Sequence, residues 1–433
     1  MAKTYDKYKD SGIKWLGTIP ANWRIEKGKH VLSVLSKPVL QDDDVVTCFR
    51  DGEVVLRNER RTEGFTMSDK EIGYQHIDKG DIVIHGMDGF AGSIGISKST
   101  GKGSPVLVVC NPIKDNPSYL VYYLRILANT NVFLALSTGI RQRSCDLKWN
   151  KISVLPFPLP SLAEQRTITT FLDEKCGEID SLISLQEEMI SELQAYKQSV
   201  ITEAVTKGLN PNTPMKDSGV EWIGILPKKW SNAKLKNIID YIESGVSVNA
   251  GIENVTSTDI GVLKTSSVSK NTFIPTECKK VFETELSRVS CPVKGNTIIV
   301  SRMNTPELVG ACGYVEKDYN NIFLPDRLWQ VHFQETVHVK YIYYCLVSKR
   351  VKSYFSSLSS GTSSSMQNIT QGQFQNTAIT LPPLSEQQAI ASYLDEKTTQ
   401  IDSLIAIKQE KITELKDYKK SIIYEYVTGK KKV

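Results

Sequence analysis

The stretch YKDSGIKWLGTIPANW at positions 8–23 returns as MKDSGVEWIGILPKKW at 215–230. Two tryptophans, a proline and KDSG recur in register, and this constrains the fold more than any other feature of the chain. A longer pair obeys the same plan. Residues 160–208 and 382–430 align without a gap, with 25 of 49 positions identical. The chain is therefore a tandem duplication. Each copy has an opening motif, a divergent domain and a conserved final segment. Between the conserved parts the match is weaker: DIVIHGMDGFAGSIG (81–95) lies over TIIVSRMNTPELVGACG (297–313).

The conserved final segments read as helices. Proline marks each start, Ser161 or Ser385 offers a cap, a Glu sits in the first turn, and no proline follows for over forty residues. At 1.5 Å per residue each helix is roughly 65–70 Å long. Heptad spacing picks out a seam with Leu172, Ile179, Leu182, Leu193 and Tyr196 in the first and Leu394, Ile401, Leu404, Leu415 and Tyr418 in the second. The seam is polar at several layers, and a second apolar row (Ile168, Phe171, Ile183, Ile190, Ile201, Val205) gives each helix two sides to bury. One side is expected on the sister helix, the other on the helix's own domain or a partner. In the divergent domains DIVIHG, PVLVVC, NTIIVS and LWQVHF read as strands, and YLVYYLRILAN and YIYYCLVSKRVKSYF as helices. The expected fold class is α+β: a tandem duplication of two α/β domains separated by two long coiled-coil helices.

Composition bounds the function. At 40% hydrophobic and 23% charged, the chain is that of a globular protein. No apolar run approaches the roughly 20 residues of a membrane span, and the N-terminus lacks a signal-peptide core, so a cytoplasmic location is expected. The net charge of +5 is compatible with nucleic acid without being diagnostic. None of the eight cysteines forms a CxxC, and no zinc spacing appears, so no metal and no cofactor is expected. Templates for phosphate loops, nucleophile elbows, zincins and PD…ExK nucleases are absent. NPSY (116–119) is similar to the NPPY of DNA amino-methyltransferases, but it lacks the second proline and an upstream Gly-rich turn; it reads as a helix start. These readings point to binding and not to catalysis.

The doubled pattern W-[LI]-G-x-[IL]-P-x-x-W, L-P-x-L-x-E-Q and [FY]-L-D-E-K-x-x-x-I-D-x-L-I resembles the DNA-specificity subunit of Type I restriction–modification systems, over essentially the whole chain. The resemblance implies an opening motif at 1–23, a target-recognition domain at 24–158, a spacer helix at 159–209, a second opening motif at 210–231, a second recognition domain at 232–380, and a second helix with a basic tail at 381–433. It implies that the two long helices are antiparallel and the copies pseudo-twofold symmetric, and that each domain reads half of a bipartite site in double-stranded DNA while the helices set the spacer. It also implies two methyltransferase subunits and restriction–translocation subunits as partners, and no catalytic residue in this chain. A generic coiled-coil DNA-binding adaptor, and a methyltransferase or nuclease fragment with a hidden site, are the alternatives.

The resemblance supplies no base code, so candidate DNA contacts come from side-chain chemistry on polar loops. In the first copy they are Arg57, Arg60 and Arg61; His85 in HGMDG; and Arg141, Gln142, Arg143 and Lys148. In the second they are Lys264 and Ser266; Arg302 and Asn304 in SRMN; and Ser363, Ser364, Gln367 and Asn368. The Lys430–Lys432 run reads as a phosphate-contacting or a disordered tail.

Overall fold

The computed structural model describes residues 3–60, 71–136, 147–253, 255–363 and 366–433. Contacts divide the chain into two compact units: residues 1–187 with 409–433, and residues 188–408. The long helices, Leu162–Lys207 and Leu384–Val427, each contribute one stretch to either unit.

In the first unit a four-stranded antiparallel sheet has the order Leu32–Val34, Leu107–Pro112, Ile82–His85, Ile94–Ile96. The strand IVIH is apolar at successive positions because both faces are covered. Side chains alternate across a strand: Ile82 and Ile84 join a core with Leu120, Leu124 and Leu127 of the helix Pro117–Asn129, while Val83 joins a second core with Val46, Cys48 and Val54. The second unit repeats this arrangement, with the order Ile239–Ser244, Leu328–Phe333, Thr297–Ser301, Cys312–Val315. Ile298 and Val300 face one core and Ile299 the other. The four runs expected as strands lie in these sheets. The expected helix YIYYCLVSKRVKSYF is broken: Val339–Val347 and Lys349–Leu358 meet at Ser348, whose extended backbone ends one and begins the next. Its hydroxyl donates to Cys345 O at 2.7 Å, a local bond that competes with helix continuation.

The repeated motifs act at the helix ends. Trp23 Nε1 donates to Glu164 at 3.3 Å, and Trp230 Nε1 to Glu386 at 2.9 Å. The next residue, the glutamine of L-P-x-L-x-E-Q, is buried in both copies. Gln165 Oε1 accepts from the Asn116 N–H (2.8 Å) and its Nε2 donates to Pro160 O (3.1 Å) and Asp115 (2.8 Å). Gln387 Oε1 accepts from the His338 N–H and its Nε2 donates to Pro382 O, both at 2.9 Å. Each glutamine thus ties the start of a long helix to the start of a domain helix.

The far end of the other long helix is held by a buried tyrosine. The Tyr119 hydroxyl lies 2.9 Å from Val427 O and 2.8 Å from Pro158 O; the Tyr341 hydroxyl lies 3.4 Å from Val205 O and 3.2 Å from Thr380 O. The Val427 and Val205 carbonyls belong to last turns, which lack intrahelical donors, and those of Pro158 and Thr380 to the neighbouring domain strands. NPSY is the helix start its sequence implies: Asn116 caps through Oδ1, accepting from Tyr119 N at 3.0 Å. Gly208 and Gly429 leave the long helices at φ +77° and +71°, and a Cβ on either would crowd Trp230 or Trp23 at 3.1 Å.

Within each unit the long helices run antiparallel. Lys419 pairs with Asp180 (2.6 Å) and Phe171 with Tyr426 (centroids 4.6 Å) in the first; Lys197 pairs with Asp402 (2.6 Å) in the second. The two ion pairs are equivalents under the duplication. Leu172, Ile179, Leu394 and Ile401 are buried, Leu193 and Leu415 half-buried. Leu182, Tyr196, Leu404 and Tyr418 are exposed, because the buried side of each helix end turns toward its domain.

The basic tail is neither free nor disordered. Lys430 Nζ donates to Leu16 O (2.8 Å) and Thr18 O, and Lys432 N donates to Lys3 O at 2.8 Å.

Candidate nucleic-acid interface

In both units the loop after the central sheet strand is anchored by the segment that precedes the last domain strand. The Leu147 N–H donates to Gly86 O, and the Ile369 N–H to Arg302 O, each at 3.0 Å. Leu147 and Ile369 are equivalents under the duplication. In each unit two segments distant in sequence therefore meet at one place.

In the first unit His85 ends the strand, and its Nδ1 accepts from the Asp88 N–H at 3.0 Å. Burial pushes its pKa down, so the ring is neutral near pH 7 and carries its proton on Nε2. Asp88 also receives Arg50 at 3.0 Å. Arg57 Nε donates to Thr47 at 3.3 Å. Arg60 pairs with Asp51 and, at 3.1 Å, with Glu53, and its guanidinium sits 4.4 Å over the Phe49 ring. It braces the Val46–Cys48/Val54–Leu56 hairpin, and its charge is met locally. Arg61, Arg141, Gln142 and Arg143 lie outside the described residues; Lys148 stands at the N-cap position of the short helix Trp149–Ile152, with its backbone extended.

In the second unit Lys264 pairs with Glu277 at 3.5 Å, and Ser266 donates to the same carboxylate at 2.6 Å. Arg302 Nε donates to Asp326 O at 2.9 Å. The two residues after it form a strand, Met303–Asn304, that pairs antiparallel with Met366–Asn368: Asn304 lies opposite Gln367 and Met303 opposite Asn368. A third strand, Ser360–Ser363, completes the ribbon, and Ser364 lies outside the described residues. SRMN and GTSSSMQN, sixty residues apart, are thus one structure. A cleft of about 260 Å³ is lined by Lys264, Lys279, Asp326 and Arg327, so the Lys264 segment also approaches Arg302 through Asp326. Sequence reasoning missed Arg50, Lys279 and Arg327. For Arg327 the signal was a Pro-Asp-Arg turn directly before a sheet strand.

One cluster lies apart from these loops. His76 is buried between Asp43 (Nδ1, 2.8 Å) and Asp78 (Nε2, 3.0 Å), and Lys37 bridges Asp78 and Asp81 at 2.6 and 2.7 Å. The bond to Asp43 raises the His76 pKa above its usual value. Among the described residues no group of three His, Cys, Asp or Glu side chains is placed to hold a metal, and no helix is long and apolar enough to cross a membrane.

Residues 227–417 match the protein family described as the Type I restriction modification DNA specificity domain. The chain is 25% identical to the Type I restriction enzyme MjaVIII specificity subunit of Methanocaldococcus jannaschii, over 98% of this chain and 97% of that protein. It is 20% identical to the EcoKI specificity subunit of Escherichia coli K12, over 90% and 84% of the two chains. A chain solved in a study of complex assembly and conformational transition in the type I R-M system superposes with a TM-score of 0.67 at 17% identity, covering 94% of this chain and 98% of that one. That likeness is one of fold. With the doubled motifs and the doubled frame they build, these matches make the chain similar over nearly its whole length to Type I restriction–modification specificity subunits, and residues 227–417 match that family's DNA specificity domain.

Proposed function

We propose that the chain is the non-catalytic DNA-recognition and scaffold subunit of a Type I restriction–modification complex, acting on double-stranded DNA in the cytoplasm. Each unit's loop junction addresses one half of a bipartite site. The observation that carries this is the pair of equivalent anchors, Leu147 on Gly86 and Ile369 on Arg302. The frame is repeated while the side chains it presents differ, as two readers of different half-sites require.

Two methyltransferase subunits dock on the long helices, and restriction–translocation subunits join that complex. Support comes from apolar side chains left open on the helices: Leu182, Leu185 and Tyr418 in the first unit, and their equivalents Leu404, Ile407 and Tyr196 in the second. They are 44–61% exposed. Two equal partners need two equal surfaces, and a repeated exposed apolar face on an otherwise charged helix fits that role. The continuous helices set the unread gap between half-sites.

Co-expression with the methyltransferase partner and genome-wide mapping of methylated sites tests the reading. The expected motif is asymmetric and bipartite; a continuous palindrome overturns it. Leu182→Glu with Leu404→Glu is expected to release the methyltransferase subunits without unfolding the chain, since neither side chain is in a core.

A further inference from the structure

The ribbon of the second unit presents a side-chain pair that the recognition reading leaves unassigned. Asn304 and Gln367 are directly opposed across two antiparallel strands, so their side chains leave the same face of the ribbon. The three strands form a small sheet, strands of β-sheet readers lie in the grooves of DNA, and a carboxamide in the major groove matches one base edge: its oxygen accepts from adenine N6 and its nitrogen donates to N7. Both residues are half-buried at the ribbon surface.

The Asn304 amide is oriented in advance. Its Oδ1 accepts from the Thr305 N–H at 2.9 Å, which uses one lone pair and fixes the plane. Its Nδ2 faces Ser301 Oγ at 3.5 Å, the limit of a hydrogen bond, so that proton is weakly held. One oxygen lone pair and the amide protons stay available, which is the set an adenine edge requires. The backbone beneath is held from two sides: Arg302 N donates to Arg327 O at 3.2 Å, and Arg302 O accepts from Ile369 N.

We infer that Asn304 is a specificity-determining residue, reading an adenine in the half-site contacted by the second unit, with Gln367 beside it on the same or the adjacent base pair. This rests on the recognition function proposed above. The competing role is structural: Asn304 could serve only to hold Thr305 in its turn.

Asn304→Asp separates the two roles. Aspartate keeps the bond to the Thr305 N–H but loses the donor that adenine N7 needs, while it accepts from cytosine N4. The experiment is selection of bound duplexes, by the chain in complex with its methyltransferase subunits, from a library randomised across both half-sites. For Asn304→Asp we expect preference at one A·T pair of a single half-site to fall about 10- to 100-fold and to move toward cytosine, with the other half-site unchanged. Gln367→Ala is expected to relax that pair or its immediate neighbour. An Asn304→Asp complex with an unaltered motif assigns Asn304 to the turn and overturns the inference. Uniform weakening of all sequences with a reduced salt slope marks a phosphate contact and also overturns it. If the unsubstituted complex selects no sequence at all, the recognition function itself fails, a result distinct from either.

Discussion

Gln387→Met is expected to loosen the second unit far more than its chemistry suggests. Methionine matches glutamine closely in volume and helix propensity, so neither a cavity nor a weaker helix accompanies the change. What disappears is a pair of hydrogen bonds. The His338 N–H loses its acceptor and Pro382 O its donor, both at a site only 2% exposed. Each stranded backbone group costs about 1–3 kcal/mol, so the substitution is expected to cost about 2–6 kcal/mol, a large share of the roughly 5–15 kcal/mol that holds a domain folded. With a urea slope of about 2–3 kcal/mol/M, the midpoint of the second unit falls by about 1–3 M, and the His338 amide exchanges faster with solvent. Gln165→Met is expected to do the same to the first unit, where Asp115 keeps its 2.7 Å pair with Arg24 and only the two backbone partners are stranded. A shift within about 0.5 kcal/mol for both variants, the range of ordinary surface substitutions, refutes the reasoning.

Four residues inserted after Glu187, with four more after Lys408, leave both units internally intact; at 1.5 Å per residue this adds about 6 Å to each helix and is expected to lengthen the unread gap by one or two base pairs with the flanking bases unchanged, as methylation mapping would show. The raised His76 pKa means that its pair with Asp43 stabilises the first unit fully below the unfolded value and less as pH climbs through the folded one; its urea midpoint is expected to be higher at pH 6 than at pH 8, and His76→Gln to flatten that dependence. Lys430→Ala removes the donor to Leu16 O and Thr18 O and is expected to cost about 1–3 kcal/mol, detected as faster proteolysis within the Tyr8–Trp23 strip.

Much of the frame was legible because it is written in local and periodic signals. The strands alternate or run apolar, Asn116-Pro117 announces a helix, and the duplication divides the chain. What the motifs do was not legible, because their partners lie far away in sequence. Glu164 receives Trp23 from 141 residues upstream, and Gln165 receives the Asn116 amide from 49. A heptad reading assigns a helix one seam, yet these helices change partners along their length, so Leu172 is buried and Leu182 is not. Arg60 looked like a free cation because Asp51 and Glu53 return to it only through a hairpin. The meeting of SRMN with GTSSSMQN depends on strand pairing that no periodicity encodes.

The first unit is discontinuous in sequence, and time enters the problem through that fact. Residues 188–408 form the second unit without interruption, whereas the first needs residues 409–433 to complete its core, where Ile422 and Val427 join Leu172 and Ile179. At roughly 5–20 residues per second of synthesis, the ribosome spends about 10–45 s on the intervening chain. Throughout that interval the Tyr119 hydroxyl lacks Val427 O, and the apolar end of the first long helix has no cover. The domain made first is thus the domain finished last. A nascent chain arrested before residue 409 is expected to show a protected second unit beside a protease-sensitive first one, and to engage holdase chaperones through the surface that the last helix closes.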